Sequence, residues 1–380
     1  MAAILMISVV VTLSCDRRDL RAGIHADKTD TINVVKYAKR LEIIQHKGYS
    51  QVNINNPWQG ASDITMTWFL MPDGTVADGI TDSMQVIKVP VENIICMSTT
   101  HVAMISALHE AGAIRGISGT GFVYDESVRK RIEAGAVREI GYENSLNKER
   151  ILSLSPDLLM AYGIGGESAG YVGKIRDLGV KVMINADYLE TDPLGKAEWI
   201  KLFGALFNKE MLADSLFRTA EKEYLSLASF ISGSIKTRPD VLLGLPFRDA
   251  WYISPGNSYI SRLIEDAGGN YIWSDTKSSF SMPYGIENVF VKALDAEYWL
   301  NIGNVSARSE ISSIDARVTG LPCYNKGNLY NNNLRMSPGG GNDYWESGSF
   351  NPHIILKDIA SILHPDMFPD HKLVYYKKIE

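Results

Sequence analysis

The side chains in this 380-residue sequence with chemistry to offer fall in two stretches, and aromatic rings dominate both. The first stretch carries Thr99, Thr100, His101, Phe122, Tyr124, Tyr142, Tyr162 and Tyr188. The second carries Phe247, Arg248, Trp251, Tyr252, Phe280, Tyr284, Tyr344 and Trp345. Rings accompanied by a few hydroxyls suit the holding of a large, flat, partly apolar molecule, because an aromatic side chain buries much area while freezing few rotamers. Arg248 adds a planar fork that can meet a carboxylate or catecholate oxygen through two bonds. His101 stands where a loop becomes a helix and either faces a ligand, as an axial group on haem or a metal would, or caps that helix.

Bond-making chemistry is poorly represented. The sequence has no GxSxG elbow, Walker loop or HExxH pair, and no cysteine in a nucleophile signature. His46, His109, His353, His364 and His371 form no i, i+4 pair and have no carboxylate-rich loop beside them, which disfavours a bare zinc or manganese carrier. The glycine clusters Gly119-Thr-Gly121, Gly163-Ile-Gly-Gly166 and Gly339-Gly-Gly341 lack a full phosphate-loop pattern; they read as tight turns or as places of close backbone approach. An enzyme with catalytic groups scattered around a cleft is the rival reading. A surface protein that engages a partner through its N-terminal strands is another.

The elements that position these residues follow a strand–loop–helix–strand grammar. Asn93-Ile-Ile-Cys-Met reads as a buried strand, Val102–Glu110 as a helix ending at Ala111-Gly112, and Ile114–Ile117 as the next strand. The pattern returns about 150 residues later, with a strand at Val241, a loop at Pro255-Gly-Asn-Ser and a helix over Tyr259–Asp266 ending at Ala267-Gly268. Leu108-His-Glu-Ala-Gly and Ile264-Glu-Asp-Ala-Gly close the two units alike. Glu149 precedes Asp157, and Glu287 precedes Asp295, at the same spacing. Two α/β lobes of related layout are expected, each a parallel sheet covered by helices. Between them, Leu212, Leu216, Ala220, Tyr224, Leu227 and Ile231 recur at helical intervals, predicting one long helix from a cap at Asn208 to about Ser232. Upstream, residues from Tyr49 and from Thr65 alternate as two strands do, predicting a β-hairpin or small added sheet.

Charge and composition narrow the partners. With 38 basic and 44 acidic side chains the net charge is −6, which leaves no basic excess for nucleic acid. Three cysteines cannot build a disulfide framework, and Cys96 and Cys323 read as buried or isolated thiols. Met1–Ser14 is uncharged and mostly apolar, too short for a membrane span, and ends at Thr12-Leu13-Ser14-Cys15, which resembles a bacterial lipoprotein cleavage box with Cys15 as the lipidated residue. Residues 16 to 30 are polar and read as a tether.

Taken in order, Cys96-Met-Ser-Thr-Thr-His, Glu110-Ala-Gly-Ala-Ile-Arg-Gly-Ile-Ser, Ile140-Gly-Tyr, Asn147-Lys-Glu-Arg-Ile-Leu-Ser-Leu-Ser-Pro-Asp-Leu, Leu178-Gly-Val-Lys-Val, Ala267-Gly-Gly-Asn-Tyr-Ile, Gly285-Ile-Glu-Asn-Val-Phe and Asn351-Pro-His-Ile-Ile-Leu-Lys-Asp-Ile-Ala resemble the helical-backbone (class III) substrate-binding proteins of ABC transporters. That class serves ferric siderophores, haem and cobalamin, and the resemblance covers about three quarters of the chain. It implies two Rossmann-like lobes joined by a single long helix, a ligand held between them without turnover or a resident cofactor, and delivery to an ABC permease. The expected divisions are a signal or lipoprotein segment at 1–15, the tether and β extension at 16–88, lobe 1 at 89–207, the bridging helix at 208–236 and lobe 2 at 237–380. A periplasmic or cell-envelope monomer, attached to membrane only by lipid, is expected, with a ferric siderophore-like chelate ranked ahead of cobalamin and haem. Glu149 and Glu287 align with the acidic residues that dock on the permease, and Asp343, Tyr344 and Trp345 fall in a ligand-facing stretch.

Overall fold

A computed structural model describes residues 32–73, 85–142, 145–163 and 168–380, with the side chains of 168 and 169 left out. The segment ending at Cys15, the tether and most of the Gly163–Gly166 cluster lie outside the described residues.

The N-terminal strands form a five-stranded sheet in sequence order: β1 (Ile32–Asn33), β2 (Leu41–His46), β3 (Tyr49–Asn55), β4 (Thr65–Pro72) and β5 (Val86–Val89). The first four run antiparallel and β5 joins β4 in parallel. The expected hairpin is thus the middle of a larger sheet. Alternation puts Leu41, Ile43, Val52, Ile54, Trp68 and Leu70 on one buried face, where they share a core with helices of the following α/β unit.

That unit has a second five-stranded sheet, ordered β10-β9-β6-β7-β8 and parallel throughout, from β6 (Ile94–Cys96), β7 (Ile114–Ile117), β8 (Arg138–Glu139), β9 (Leu158–Tyr162) and β10 (Val182–Asn185). The three residues of β6 are buried on both faces, which is why it reads as a bare apolar run. Helices α1 (Thr99–Ala107), α2 (Glu126–Glu133), α3 (Lys148–Ser153) and α4 (Ser168–Arg176) alternate with these strands, and α5 (Pro193–Glu198) and α6 (Ile200–Leu206) follow.

Helix α7 (Glu210–Ser234) runs for 25 residues, about 37 Å at 1.5 Å per residue. It packs on α6 at one end of its path and on a later helix at the other. Asn208 does not cap it. Asn208 takes the left-handed conformation at φ 54° in the tight link from α6, and Lys209 occupies the cap position without a side-chain bond.

The second α/β unit is built on β11 (Asp240–Leu243), flanked by a small antiparallel sheet of β12 (Pro246–Phe247), β13 (Ala250–Ile253) and β15 (Met282–Gly285). Its main sheet is ordered β14-β11-β16-β17-β18, with β14 (Asn270–Tyr271), β16 (Tyr298–Leu300), β17 (Leu329–Asn331) and an antiparallel β18 (Lys377–Lys378). Helices α8 (Tyr259–Asp266), α9 (Ile286–Lys292), α10 (Arg308–Ile314), α11 (Pro322–Lys326) and α12 (Pro352–Leu363) cover it, and α12 is the one that meets α7. Its core centres on Trp251 and Trp299, whose rings lie 5.5 Å apart.

Two buried carboxylates tie the N-terminal sheet down. Glu198, fully buried, accepts the backbone N–H groups of Lys36, Tyr37 and Ala38 at 2.6–3.0 Å and pairs with Lys201 at 2.8 Å. Glu190 does the same for Lys39 and Arg40 at 2.9–3.1 Å. A buried carboxylate is tolerable only when donors surround it, so these contacts fix the segment closely.

Candidate functional site

A cavity of about 410 Å³ opens between the two α/β units at the carboxyl ends of their strands. From the first unit it receives Met97, Ser98 and Thr99 after β6, Ser118 and Phe122 after β7, Tyr142 after β8 and Tyr162 at the end of β9. From the second it receives Asn304, after β16, and Met336, Gly340, Gly341, Asn342 and Trp345, in the long segment between β17 and α12. Among the described residues its lining has rings, hydroxyls, amides and thioethers, and no charged side chain.

Local chemistry explains these placements. Ser98 caps α1 by accepting from the backbone N–H of Thr100, which leaves Thr99 at the rim. Glu139 gathers the loop after β7, accepting from the N–H groups of Gly119, Thr120 and Gly141 at 2.7–3.0 Å and from the Thr120 hydroxyl at 3.0 Å. Burial pushes this carboxyl up, but those donors prevail and hold it below its ordinary value. The loop then presents Phe122 edge-on to Tyr142 with ring centroids 6.3 Å apart. Trp345 is half exposed and stands at 87° to the buried ring of Tyr344, 4.6 Å between centroids.

The segment from β17 to α12 also straps the units together. Met336 and Asn342 pair across a short hairpin whose tip is Pro338-Gly339-Gly340. The Ser337 hydroxyl donates to the Gly121 carbonyl at 2.9 Å, and Glu346 accepts the N–H groups of Tyr124 and Asp125 at 2.8 Å each. The Arg335 guanidinium lies 5.0 Å over the Tyr124 ring and pairs with buried Asp343 at 2.9 Å. The backbones come so close that a Cβ on Gly339 would stand 2.2 Å from the Gly121 oxygen, and one on Gly341 1.7 Å from that of Phe122. Gly339-Gly-Gly341 therefore serves contact between the units. Glu346 is 1% exposed; burial first, and then the nearby Asp343 and Asp125, push its carboxyl up to about 7 against the pull of its two N–H donors. Beyond the strap lies a second cavity of about 720 Å³, into which Tyr124, Arg129 and Arg335 face.

Of the residues singled out by sequence, Thr99, Phe122, Tyr142, Tyr162 and Trp345 meet at the 410 Å³ cavity. His101 does not: it is fully buried, its ring 6.0 Å from Phe203, and loss of solvation lowers its pKa to about 3. It neither caps α1 nor reaches the cavity. Thr100 points its hydroxyl at Ser98. Tyr124 and Asp343 belong to the strap contact, Tyr344 supports Trp345 from behind, and the Tyr188 hydroxyl donates to the Gly163 carbonyl. Trp251 is a core residue, with its indole N–H on the Leu243 carbonyl at 3.0 Å. Phe247, Arg248, Tyr252 and Phe280 are exposed on or beside the small sheet, and Arg248 lies 5.2 Å over the Phe247 ring; Tyr284 is half buried there. Cys96 and Cys323 are buried free thiols. Glu149 and Glu287 occupy the first turns of α3 and α9, both exposed, and Glu287 pairs with Arg317. Reasoning from sequence missed Glu139, Glu346 and Arg335; acidic and basic residues in loops give no periodic signal of such contacts.

Among the described residues, no group of three or more His, Cys, Asp or Glu side chains could hold a metal ion, and no helix is long and apolar enough to cross a membrane. Residues 94–309 match the family profile described as Periplasmic binding protein. An uncharacterized lipoprotein of Methanocaldococcus jannaschii is 26% identical over 369 residues, 91% of this chain and 85% of that one. A vitamin B12-binding protein of Salmonella typhi is 26% identical over 146 residues, 38% of this chain and 52% of its own length. Among solved structures, a periplasmic heme binding protein from Pseudomonas aeruginosa shares the fold at a TM-score of 0.58 and 13% identity, over 76% of this chain and 98% of that one.

Proposed function

The chain belongs to the periplasmic binding protein family, and from that premise we propose that it is the extracytoplasmic solute-binding component of an ABC importer, capturing an uncharged metal chelate between its two α/β units. The observation that supports the ligand class is the lining of the cavity, which among the described residues has aromatic faces with hydroxyl and amide donors and no charge. Such a surface gains from dispersion and apolar burial but cannot offset the desolvation of a multiply charged guest. A neutral ferric chelate of the hydroxamate kind fits this description, and an anionic tricatecholate does not. A corrinoid is the second reading, favoured by the vitamin B12-binding relative. Haem is third, because its propionates would meet no cation among the described lining residues and His101 is shut in the core.

In this reading the two units are lobes and α7 is the strut between them. Lobe separation admits the chelate, and the strap from β17 to α12 closes over it. Glu149 and Glu287, one on each lobe and each exposed in the first turn of a helix, are the docking carboxylates for cationic residues of the permease. The expected lipid on Cys15 holds the protein at the outer face of the membrane. Cargo passes through unchanged.

The test is a tryptophan-fluorescence titration of the full chain with a neutral ferric trihydroxamate, a ferric tricatecholate, cyanocobalamin and haemin. The expected result is micromolar or tighter binding of the trihydroxamate or of cyanocobalamin, weakened about 10- to 100-fold by Trp345→Ala. Silence across the four compounds overturns the ligand class, and recovery of chemically altered cargo overturns the transport role.

A further inference from the structure

We propose that the loop between β3 and β4 of the N-terminal sheet is a working wall of the ligand cleft, with Trp58 and Gln59 on the side away from the strap. The inference rests on the reading of the cavity as a ligand cleft and assigns the added sheet a part in it.

Sheet order supplies the geometry. In β10-β9-β6-β7-β8 the loop after β6 is the floor of the cavity, and the strap covers the β7 side through Gly121, Tyr124 and Asp125. The β9 side has a different cover. Tyr162, the last residue of β9, lines the cavity, and Gly163 follows it with Trp58 directly behind: a Cβ on Gly163 would lie 3.0 Å from the Trp58 Cβ and 3.6 Å from the Pro57 carbonyl oxygen. From Gly163 outward the wall continues through Gln59, whose side-chain amide donates to the Ser279 carbonyl at 3.1 Å. Ser279 belongs to the second unit and precedes Phe280, an exposed ring with no role in that unit's core. A bond from the N-terminal sheet to the second unit therefore crosses the gap on the side of β6 opposite the strap.

The loop is built to hold that position. Asn56, at φ 48°, closes it by accepting from the Ile64 N–H at 3.1 Å through its side chain while its own N–H reaches the Ile64 carbonyl at 2.7 Å. A turn from Trp58 to Ala61 presents Gln59 at the tip. Beneath the loop, the sheet is fixed to the first unit by the shared core and by Glu190 and Glu198. It must move with the first unit, so any separation of the units breaks the Gln59–Ser279 contact together with the strap. The sheet thus adds a closure of its own beside the strap, and exit of a bulky chelate on that side has to open it.

The experiment uses the full chain and the two chelates expected to bind, the neutral ferric trihydroxamate and cyanocobalamin. Both absorb visible light and quench nearby indoles. Gln59→Ala, at a partly exposed tip, removes only the crossing bond; it is expected to speed chelate release in stopped flow by about 2- to 10-fold with an unchanged unfolding midpoint. Trp58→Ala removes the ring against Gly163 and is expected to speed release by a similar factor, whereas Trp58→Phe, which keeps a ring there, is expected to release at the wild-type rate. Wild-type release rates in both Gln59→Ala and Trp58→Ala overturn the wall while leaving the transport reading intact. Failure of the wild-type chain to bind either chelate overturns both.

Discussion

Raising the pH from 5 to 8 should loosen the two units, and Glu346 should be the cause. In the strapped form this carboxyl is buried against the N–H groups of Tyr124 and Asp125, with Asp343 and Asp125 nearby, and stands at about 7 in place of its ordinary 4.5. Once the units part it regains water and the ordinary value. Between those two values the closed form holds a proton that the open form has released. The contribution to closure is therefore fully present below about 4.5 and lost as the pH rises through about 7. At 1.36 kcal/mol per unit the difference amounts to about 3 kcal/mol, roughly two orders of magnitude in the open-to-closed ratio. Small-angle scattering of the ligand-free protein should show a larger radius of gyration at pH 8 than at pH 5. Glu346→Gln carries no titrating proton and should flatten the profile. It should match wild type or close slightly less at pH 5, where the protonated carboxyl is likewise neutral, and close more readily than wild type at pH 8, where the charged carboxylate has lost about 3 kcal/mol. A wild-type radius that shrinks as pH rises, or an identical pH response in the variant, would refute the reasoning.

Three further outcomes are expected. Gly341→Ala places a Cβ where the Phe122 carbonyl oxygen stands, so the strap must lift; chelate affinity should fall at least about tenfold while circular dichroism stays native. Glu198→Ala deprives three backbone N–H groups and Lys201 of their acceptor and should cost about 3–5 kcal/mol in denaturant unfolding, with Glu198→Gln losing less. Reversing both Glu149 and Glu287 to Arg should abolish uptake by cells and leave chelate affinity within about twofold; a loss of affinity would assign these carboxylates to the fold or the cleft.

Local pattern carried the reading of the α/β units a long way. Ile114–Ile117 and Tyr259–Asp266 are a strand and a helix with the bounds their apolar spacing implied, and α7 lies within two residues of its expected span. The N-terminal sheet was half legible. β3 and β4 alternate clearly, whereas β1 is two residues long and β5 only four, so neither offers enough periods to register. At the cavity the rings after β7 and β8 and at the end of β9 are legible because rings at strand ends are a local signal. Long-range contacts have no such mark. His101, expected at the junction of loop and helix to face a ligand or cap the helix, turns inward on the first turn of α1, and Trp251 sits on a strand whose neighbour in space is Trp299. Tyr344 and Trp345 show the limit most sharply: adjacent in sequence, one ring is buried and the other reaches the cavity.

The carboxylates that hold residues 36 to 40 have a consequence for how the chain acquires its shape. Glu198 lies 162 residues beyond Lys36, and Glu190 lies 151 beyond Lys39. The early segment leaves the ribosome, and any export channel, well before its acceptors exist. It must wait, with the N–H groups of Lys36, Tyr37 and Ala38 served by water, until the β10–α6 region has condensed. Docking across so long a separation is slow relative to helix or hairpin formation. Refolding should therefore end with this event, and truncation before residue 198 should leave a sheet that has formed its hairpins but found nowhere to lie.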